Sequence, residues 1–183
     1  MEANFMLYKA HSKDAQVMGR NIQSYIAGMG AFETMGKNIL KKHGIDPNPQ
    51  NEDWYNFQDF LDALKEISEK TGKSTITIIG ARIAVSIPFA KHISNLEQAL
   101  SEINRSYHVI HRNDQTSKKQ FVKLGENQIK VEISTPYPCE FDLGYLRGLV
   151  KRFAPDLGIN VIHDDELACR KKGNEGCTYW MRW

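Results

Sequence analysis

The spacing of apolar positions shifts in character near residue 115 of this chain. Before that point they recur every three to four residues. Met18, Ile22, Tyr25, Met29, Phe32, Gly36 and Ile39 mark one buried helical face, which "KKHG" closes with cations and a terminal glycine. Trp54, Phe57, Leu61, Leu64 and Ile67 mark a second helix, ended by Gly72. "STITIIGARIAVSIPFA" (74–90) is nearly all apolar and rich in β-branched residues, so it reads equally as a buried strand or a buried helix, with Pro88 limiting either. "SNLEQALSEINRSYHVIHR" opens with Ser94 and Glu97 in a capping-box arrangement and predicts a further helix.

Beyond residue 115 the period falls to two. "KQFVKL" and "QIKVEIST" flank Gly125, Glu126 and Asn127, which is a hairpin signal. "FDLGYLRGLVKRF" returns to helix, with Phe141, Tyr145, Leu149 and Phe153 on one face. "GINVIHDDELAC" and "CTYWMRW" predict two more strands, joined by a turn at Gly173 and Gly176. The expected class is α+β: an N-terminal helical layer packed on a C-terminal antiparallel sheet (119–135 with 159–183), with one helix crossing that sheet. No repeat or Pro/Gly linker divides the chain, so residues 1–183 are expected to form a single domain.

Composition narrows the function only a little. The hydrophobic fraction of 41% and charged fraction of 25% are those of an ordinary globular protein, and a net charge of +2 is too small for a nucleic-acid-binding face. The one basic run, Arg170–Lys172, sits at a turn and reads as solvated. No apolar stretch is long enough to cross a bilayer, and "MEANFMLYKAHSKD" lacks a secretory pattern, which places the chain in the cytoplasm. The aromatic ending "CTYWMRW" suggests a piece of a longer protein.

Candidate chemistry gathers around the three cysteines. Cys139 follows Pro138 at the start of a predicted helix, where free N–H groups favour a thiolate. Cys169 and Cys177 lie on the opposing strands of a hairpin. With one donor from His163, Asp164, Asp165 or Glu166 they make a four-coordinate, zinc-like set; the alternative is three small apolar residues that merely pack. "GMGAFETMG" follows no strand and lies within a predicted helix, so it is no phosphate loop; Gly28, Gly30 and Ala31 read instead as close-packing positions. No catalytic constellation emerges, and no Ser/His/Asp order stands out.

Taken together, "PCEFDLGYLRGLVKRF" and "VIHDDELACRKKGNEGCTYWMRW" resemble the C-terminal signature of the 4-vinyl reductase domain family. There a cysteine precedes a Gly-Tyr helix, and a strand with Glu-x-x-Cys, a glycine-rich turn and Cys-x-aromatic follow. The upstream segments "WYNFQDFLDALKEI", "TIIGARIAVSIPFA" and "ALSEINRSYHVIHR" resemble the helical half of the same superfamily, which also contains H-NOX gas sensors and TRAPP vesicle-tethering subunits. In phenol- and xylene-responsive activators of the family, the C-terminal cysteines and a glutamate bind a structural zinc beside an aromatic-ligand pocket. The resemblance therefore implies Cys139, Glu166, Cys169 and Cys177 as zinc ligands. The inserted "APDLGIN" lengthens the segment between Cys139 and Glu166, and Asp164 and Asp165 compete for the fourth place. H-NOX proteins hold heme through a histidine and a Tyr-x-Ser-x-Arg clamp. This chain has no such motif, so heme is not expected, although His92, His108 and His111 are possible iron ligands.

The leading expectation is a non-enzymatic sensing input domain of a bacterial signalling protein. It would enclose a small apolar or aromatic molecule between helices and sheet, lined by Tyr25, Met29, Phe32, Ile83, Ile87 and Tyr107, and would pair as a homodimer. The domain itself is expected to engage neither nucleic acid nor membrane. A heme gas sensor, a dimerisation module and a reductase are the alternatives. The last requires a nucleotide, flavin or cluster for which no signature is present.

Overall fold

In the computed structural model, which describes residues 7–183, the change of period near residue 115 separates a helical half from a sheet half. Residues 1–6, the start of the segment read as lacking a secretory pattern, lie outside the described residues. The helical half contains α1 (Gly19–Gly28), α2 (Glu33–Lys42), α3 (Phe57–Thr71), α4 (Lys73–Ser86) and α5 (Leu96–Ile110). The sheet half contains β4 (Lys118–Gly125), β5 (Gln128–Ser134), α6 (Cys139–Phe153), β6 (Asn160–His163) and β7 (Cys177–Arg182). Three strands too short to leave a pattern, β1 (Gln16–Met18), β2 (Trp54–Asn56) and β3 (His111–Arg112), form a second antiparallel sheet in the order β2-β1-β3. The class is α+β.

The main sheet is antiparallel with order β4-β5-β7-β6. Ile129, Val131 and Ile133 of β5 face the core, pairing with Met181, Tyr179 and Cys177 of β7. This inward row is the period-two pattern of the sequence. Helix α6 is buried on more than one side: Phe141, Tyr145 and Leu149 are buried as expected, but so are Asp142, Leu146 and Val150. Phe153 is only partly buried and packs at right angles to Phe89.

Several elements differ from the sequence expectation, each for a local reason. The helix read through 18–39 is two helices, because Gly30 adopts φ +58° and a short 3-10 turn, Gly30–Phe32, redirects the chain. The ambiguous stretch 74–90 resolves as α4, ended ahead of Pro88, with Thr75, Ile76, Ile79, Gly80, Ile83 and Ala84 buried. The cap of α5 sits one residue later than Ser94. Asn95 accepts from the Gln98 N–H at 2.9 Å, while Gln98 Oε1 accepts from the Ser94 N–H at 2.8 Å. The strand read through 159–169 stops at His163, and residues 164–176 form a loop with a 3-10 turn at Arg170–Lys172.

Helices α4 and α6 cross with backbone against backbone. A Cβ built on Gly144 would lie 1.9 Å from the Thr77 carbonyl oxygen, and one on Gly80 would lie 2.3 Å from that of Phe141. Only hydrogen fits at either position, so these glycines set the depth of the crossing.

Candidate functional site

Two groups of side chains lie around α6. The first is a chamber between α1, α4, α5 and α6, closed below by β4. Its volume is about 50 Å³, and its walls are Tyr25, Ile83, Ile87, Ile103, Tyr107, Ile110, Tyr137, Phe141 and Tyr145, with Asn21, Ser106, His111 and Lys119 as polar members. The rings order one another: Tyr25 stacks on Phe141 (centroids 4.8 Å apart) and Tyr137 (5.5 Å), and meets Phe60 edge-on at 5.1 Å. Of the residues expected to line a pocket, Tyr25, Ile83, Ile87 and Tyr107 are in this wall. Met29 is buried elsewhere, with its sulfur over Gly36, and Phe32 is 46% exposed on the 3-10 turn.

The polar members differ in how fully they are satisfied. His111 stacks on Tyr107 at 4.0 Å. Its Nδ1 is 2.9 Å from the Tyr107 carbonyl oxygen and its Nε2 is 2.8 Å from the Tyr137 hydroxyl, so Nδ1 carries the proton and Nε2 accepts. Burial pushes the His111 pKa down to about 3, against a smaller upward pull from the Tyr107 carbonyl. The Tyr25 hydroxyl, by contrast, is buried with no hydrogen-bond partner. Lys119 is buried, with its ammonium 4.8 Å from the ring centre of Tyr145 and 5.3 Å from that of Tyr107. It forms no ion pair among the described residues.

A groove of about 530 Å³ adjoins the chamber from outside. It shares Asn21, Ile87, Ser106 and Ile110 with the chamber wall and continues over Pro88, Ala90 and Val109, with Arg20, Glu102 and Arg105 at its edge. Arg152 fixes the segment that bounds it, donating to the Ile87 carbonyl at 2.6 Å and the Val85 carbonyl at 3.1 Å. A larger cleft, about 790 Å³, is open and polar and runs along His11, Asp14, Asn113 and Gln115.

The second group is the cysteine cluster. Cys139 Sγ lies 3.6 Å from Cys169 Sγ and 3.2 Å from Cys177 Sγ; the latter two are 3.3 Å apart. All three cysteines are free thiols. The fourth member is His163, whose Nε2 is 3.4 Å from Cys169 Sγ; all four donor atoms fall within 4.8 Å of one another. Glu166 is exposed and outside this set. Period two on β6 explains the choice: Val161 and His163 face α6, whereas Ile162 is 42% exposed. The neighbouring acids build the loop. Asp164 Oδ1 accepts from the N–H groups of Glu166 and Leu167 and its Oδ2 from the Trp180 indole at 2.7 Å, while Asp165 Oδ1 holds His163 Nδ1 at 2.9 Å.

Three thiols and an imidazole fit a tetrahedral zinc, whose 2.3 Å thiolate bonds place sulfurs about 3.8 Å apart. The surrounding groups also suit it. Arg170 donates from its backbone N–H and its Nε to Cys177 Sγ, each at 3.4 Å, and Asp165 orients the histidine. The Cys139 thiol, His163 and Arg170 hold the Cys177 thiol well below the ordinary thiol range, although burial opposes them. Arg170 itself is fully buried. It pairs with the equally buried Asp142 of α6 at 2.5 Å and donates to the Thr135 carbonyl, linking the cluster to the helix that walls the chamber. Asp142 Oδ1 has no partner.

No protein-family model matches the sequence, and no curated protein aligns with it significantly. Solved structures do resemble it. An oxygen-binding H-NOX domain related to soluble guanylate cyclases, in its oxygen complex, superposes with TM-score 0.65 at 15% identity, over 90% of this chain and 94% of that one. An H-NOX protein from S. oneidensis in the Fe(II) ligation state gives 0.63 at 16%, over 90% and 95%. A heme protein in which porphyrin distortion modulates redox potential gives 0.68 at 14%, over 91% and 99%. With nearly the whole of each chain aligned at so little identity, the likeness is one of backbone: this chain has the H-NOX-like fold.

Proposed function

We propose that the chain is a ligand-sensing domain that receives a small apolar or aromatic molecule across the ring-walled chamber and the groove that adjoins it, and that a structural zinc ties its last hairpin to α6. The observation that carries the first part is the chamber itself, apolar in its walls yet containing the unpartnered Tyr25 hydroxyl. Zinc would be held by Cys139, His163, Cys169 and Cys177 and would supply a cross-link, since four protein donors leave no position for a substrate. The cysteine cluster also favours the 4-vinyl reductase branch of the superfamily.

Heme is the main competing occupant, because the fold is that of heme proteins. The residues present do not fit it. The chamber has room for a water or two rather than a porphyrin, and rings fill the surrounding space. His111 has both nitrogens engaged within the protein, and His92 and His108 are exposed. An enzymatic reading finds a Ser/His/Asp group that the sequence had not suggested: Ser117, His11 and Asp114. Its geometry opposes nucleophilic catalysis, since Ser117 is fully buried and donates to Asp114 Oδ2 at 2.6 Å, and both Ser117 and Asp114 approach the same His11 nitrogen.

In this reading the domain is a non-enzymatic, cytoplasmic input module of a bacterial signalling protein, with no nucleic-acid or membrane partner of its own. No helix among the described residues is long and apolar enough to cross a membrane. Homodimerisation has apolar surface available in Ile78 and Val85, exposed one heptad apart on α4. The test is a thermal-shift panel of toluene, phenol and hemin against the wild type and Ser106→Trp, which fills the wall between chamber and groove. Stabilisation by the small aromatics, abolished in Ser106→Trp, supports the proposal. A stoichiometric hemin complex with a sharp Soret band would replace it with a heme sensor.

A further inference from the structure

Two groups on the chamber wall carry protons that no acceptor takes up among the described residues. The Lys119 ammonium rests on the faces of Tyr107 and Tyr145 with no carboxylate beside it among the described residues. The Tyr25 hydroxyl has no partner. The Tyr137 hydroxyl is committed, accepting from Asn21 at 3.1 Å and donating to His111. Asp142, the carboxylate whose field reaches Lys119, gives its Oδ2 to Arg170, keeps its Oδ1 unpartnered and makes no ion pair with Lys119. A largely buried ammonium and a fully buried hydroxyl on one small cavity are costly unless an acceptor joins them.

Size divides the ligand in two. The inner chamber, about 50 Å³, matches a head group of two or three heavy atoms, a water occupying about 30 Å³ of liquid volume. The adjoining groove of about 530 Å³ is bounded by Ile87, Pro88, Ala90, Val109 and Ile110, which suit an apolar body. Resting on the pocket reading above, we propose that the ligand is a carboxylate: its head lies between Lys119 and Tyr25 in the chamber, and its aryl or alkyl body crosses the Asn21/Ile87/Ser106/Ile110 wall into the groove. Burial lowers the Lys119 pKa, the direction expected of a cation that lacks a close counter-ion.

Isothermal titration of phenylacetate against its neutral amide tests this. The acid is expected to bind the wild type about tenfold or more tighter than the amide. Lys119→Met should bring the acid down to the level of the amide and leave the amide unchanged, and Tyr25→Phe should weaken the acid severalfold. Should Lys119→Met not fold, Tyr25→Phe, which removes one oxygen atom, carries the same comparison. Equal affinities in the wild type, or an acid preference that survives both substitutions, overturn the carboxylate assignment while the pocket stands. Binding of neither compound, or amide binding indifferent to Ser106→Trp, overturns the pocket itself.

Discussion

Acidification from pH 7 to pH 5 should destabilise this protein through one residue, His111. The ring is 2% exposed, sandwiched against Tyr107, with both nitrogens engaged. A second ring proton would charge an imidazole inside an aromatic cluster and set an N–H against the Tyr137 hydroxyl that now donates to it. The folded pKa is accordingly about 3, against 6.5 for an unperturbed histidine. Between those two values the unfolded chain binds the proton and the folded chain does not, so stability is full above pH 6.5 and declines as pH falls toward 3. At pH 5 the loss relative to pH 7 is about 2 kcal/mol. Urea unfolding followed by circular dichroism at pH 7, 6 and 5 reads this loss together with the opposite contribution of His163, whose pKa the Cys177 side chain raises. Carboxylates with unfolded pKa values near 4 contribute little in that window, and the other histidines are common to a His111→Gln variant. That variant should start less stable, having lost its hydrogen-bond geometry, yet decline about 2 kcal/mol less over the same range. Parallel decline of the two proteins would refute the argument and place the acid sensitivity elsewhere.

Three further outcomes follow from the packing and the cluster. Arg170→Met leaves Asp142 buried without its guanidinium and should cost about 3–5 kcal/mol by chemical denaturation, whereas replacing both partners by apolar residues should cost less. Gly144→Ala should destabilise by about 1–3 kcal/mol or more, because its Cβ meets a backbone oxygen, while Gly125→Ala, with nothing within 4 Å, should change stability little. For the cluster, His163→Ala should abolish stoichiometric zinc measured by elemental analysis and remove the fall in melting temperature on chelation; Glu166→Ala should do neither. Zinc retained by the first variant and lost from the second would restore the glutamate implied by family resemblance.

The sheet half was readable because its chemistry is local. The alternation in "QIKVEIST" is the inward row Ile129, Val131 and Ile133, and the turn at Glu126–Asn127 is where the hairpin reverses. Helix α4 hid because its outward face carries Ile78 and Val85, which erases the contrast between buried and exposed positions. The small sheet has strands of two or three residues, below the length at which period two can be recognised. His163 stood among the open donors of "HDDE", and counting by twos from Val161 would have selected it over Glu166. Lys119 and Tyr137 were missed for a different reason. Neither lies on the helical layer from which the pocket lining was chosen, and nothing short of the fold brings them beside Tyr25.

The glycine crossing of α4 and α6 bears on how a bound molecule could be felt at a distance. Where two helices touch through side chains, rotamer changes can absorb a push. Here the carbonyls of Thr77 and Phe141 rest against Gly144 and Gly80, and no soft layer intervenes. The two helices therefore form one stiff beam, anchored at one end to the sulfur cluster through Arg170 and Asp142 and at the other to the 87–90 segment through Arg152. A ligand wedged into the chamber cannot part that beam. The chamber's other walls, α1, α5 and β4, are the ones left to give, so in a sensor of this kind the surface expected to move is the face that carries Arg20, Glu102 and Arg105.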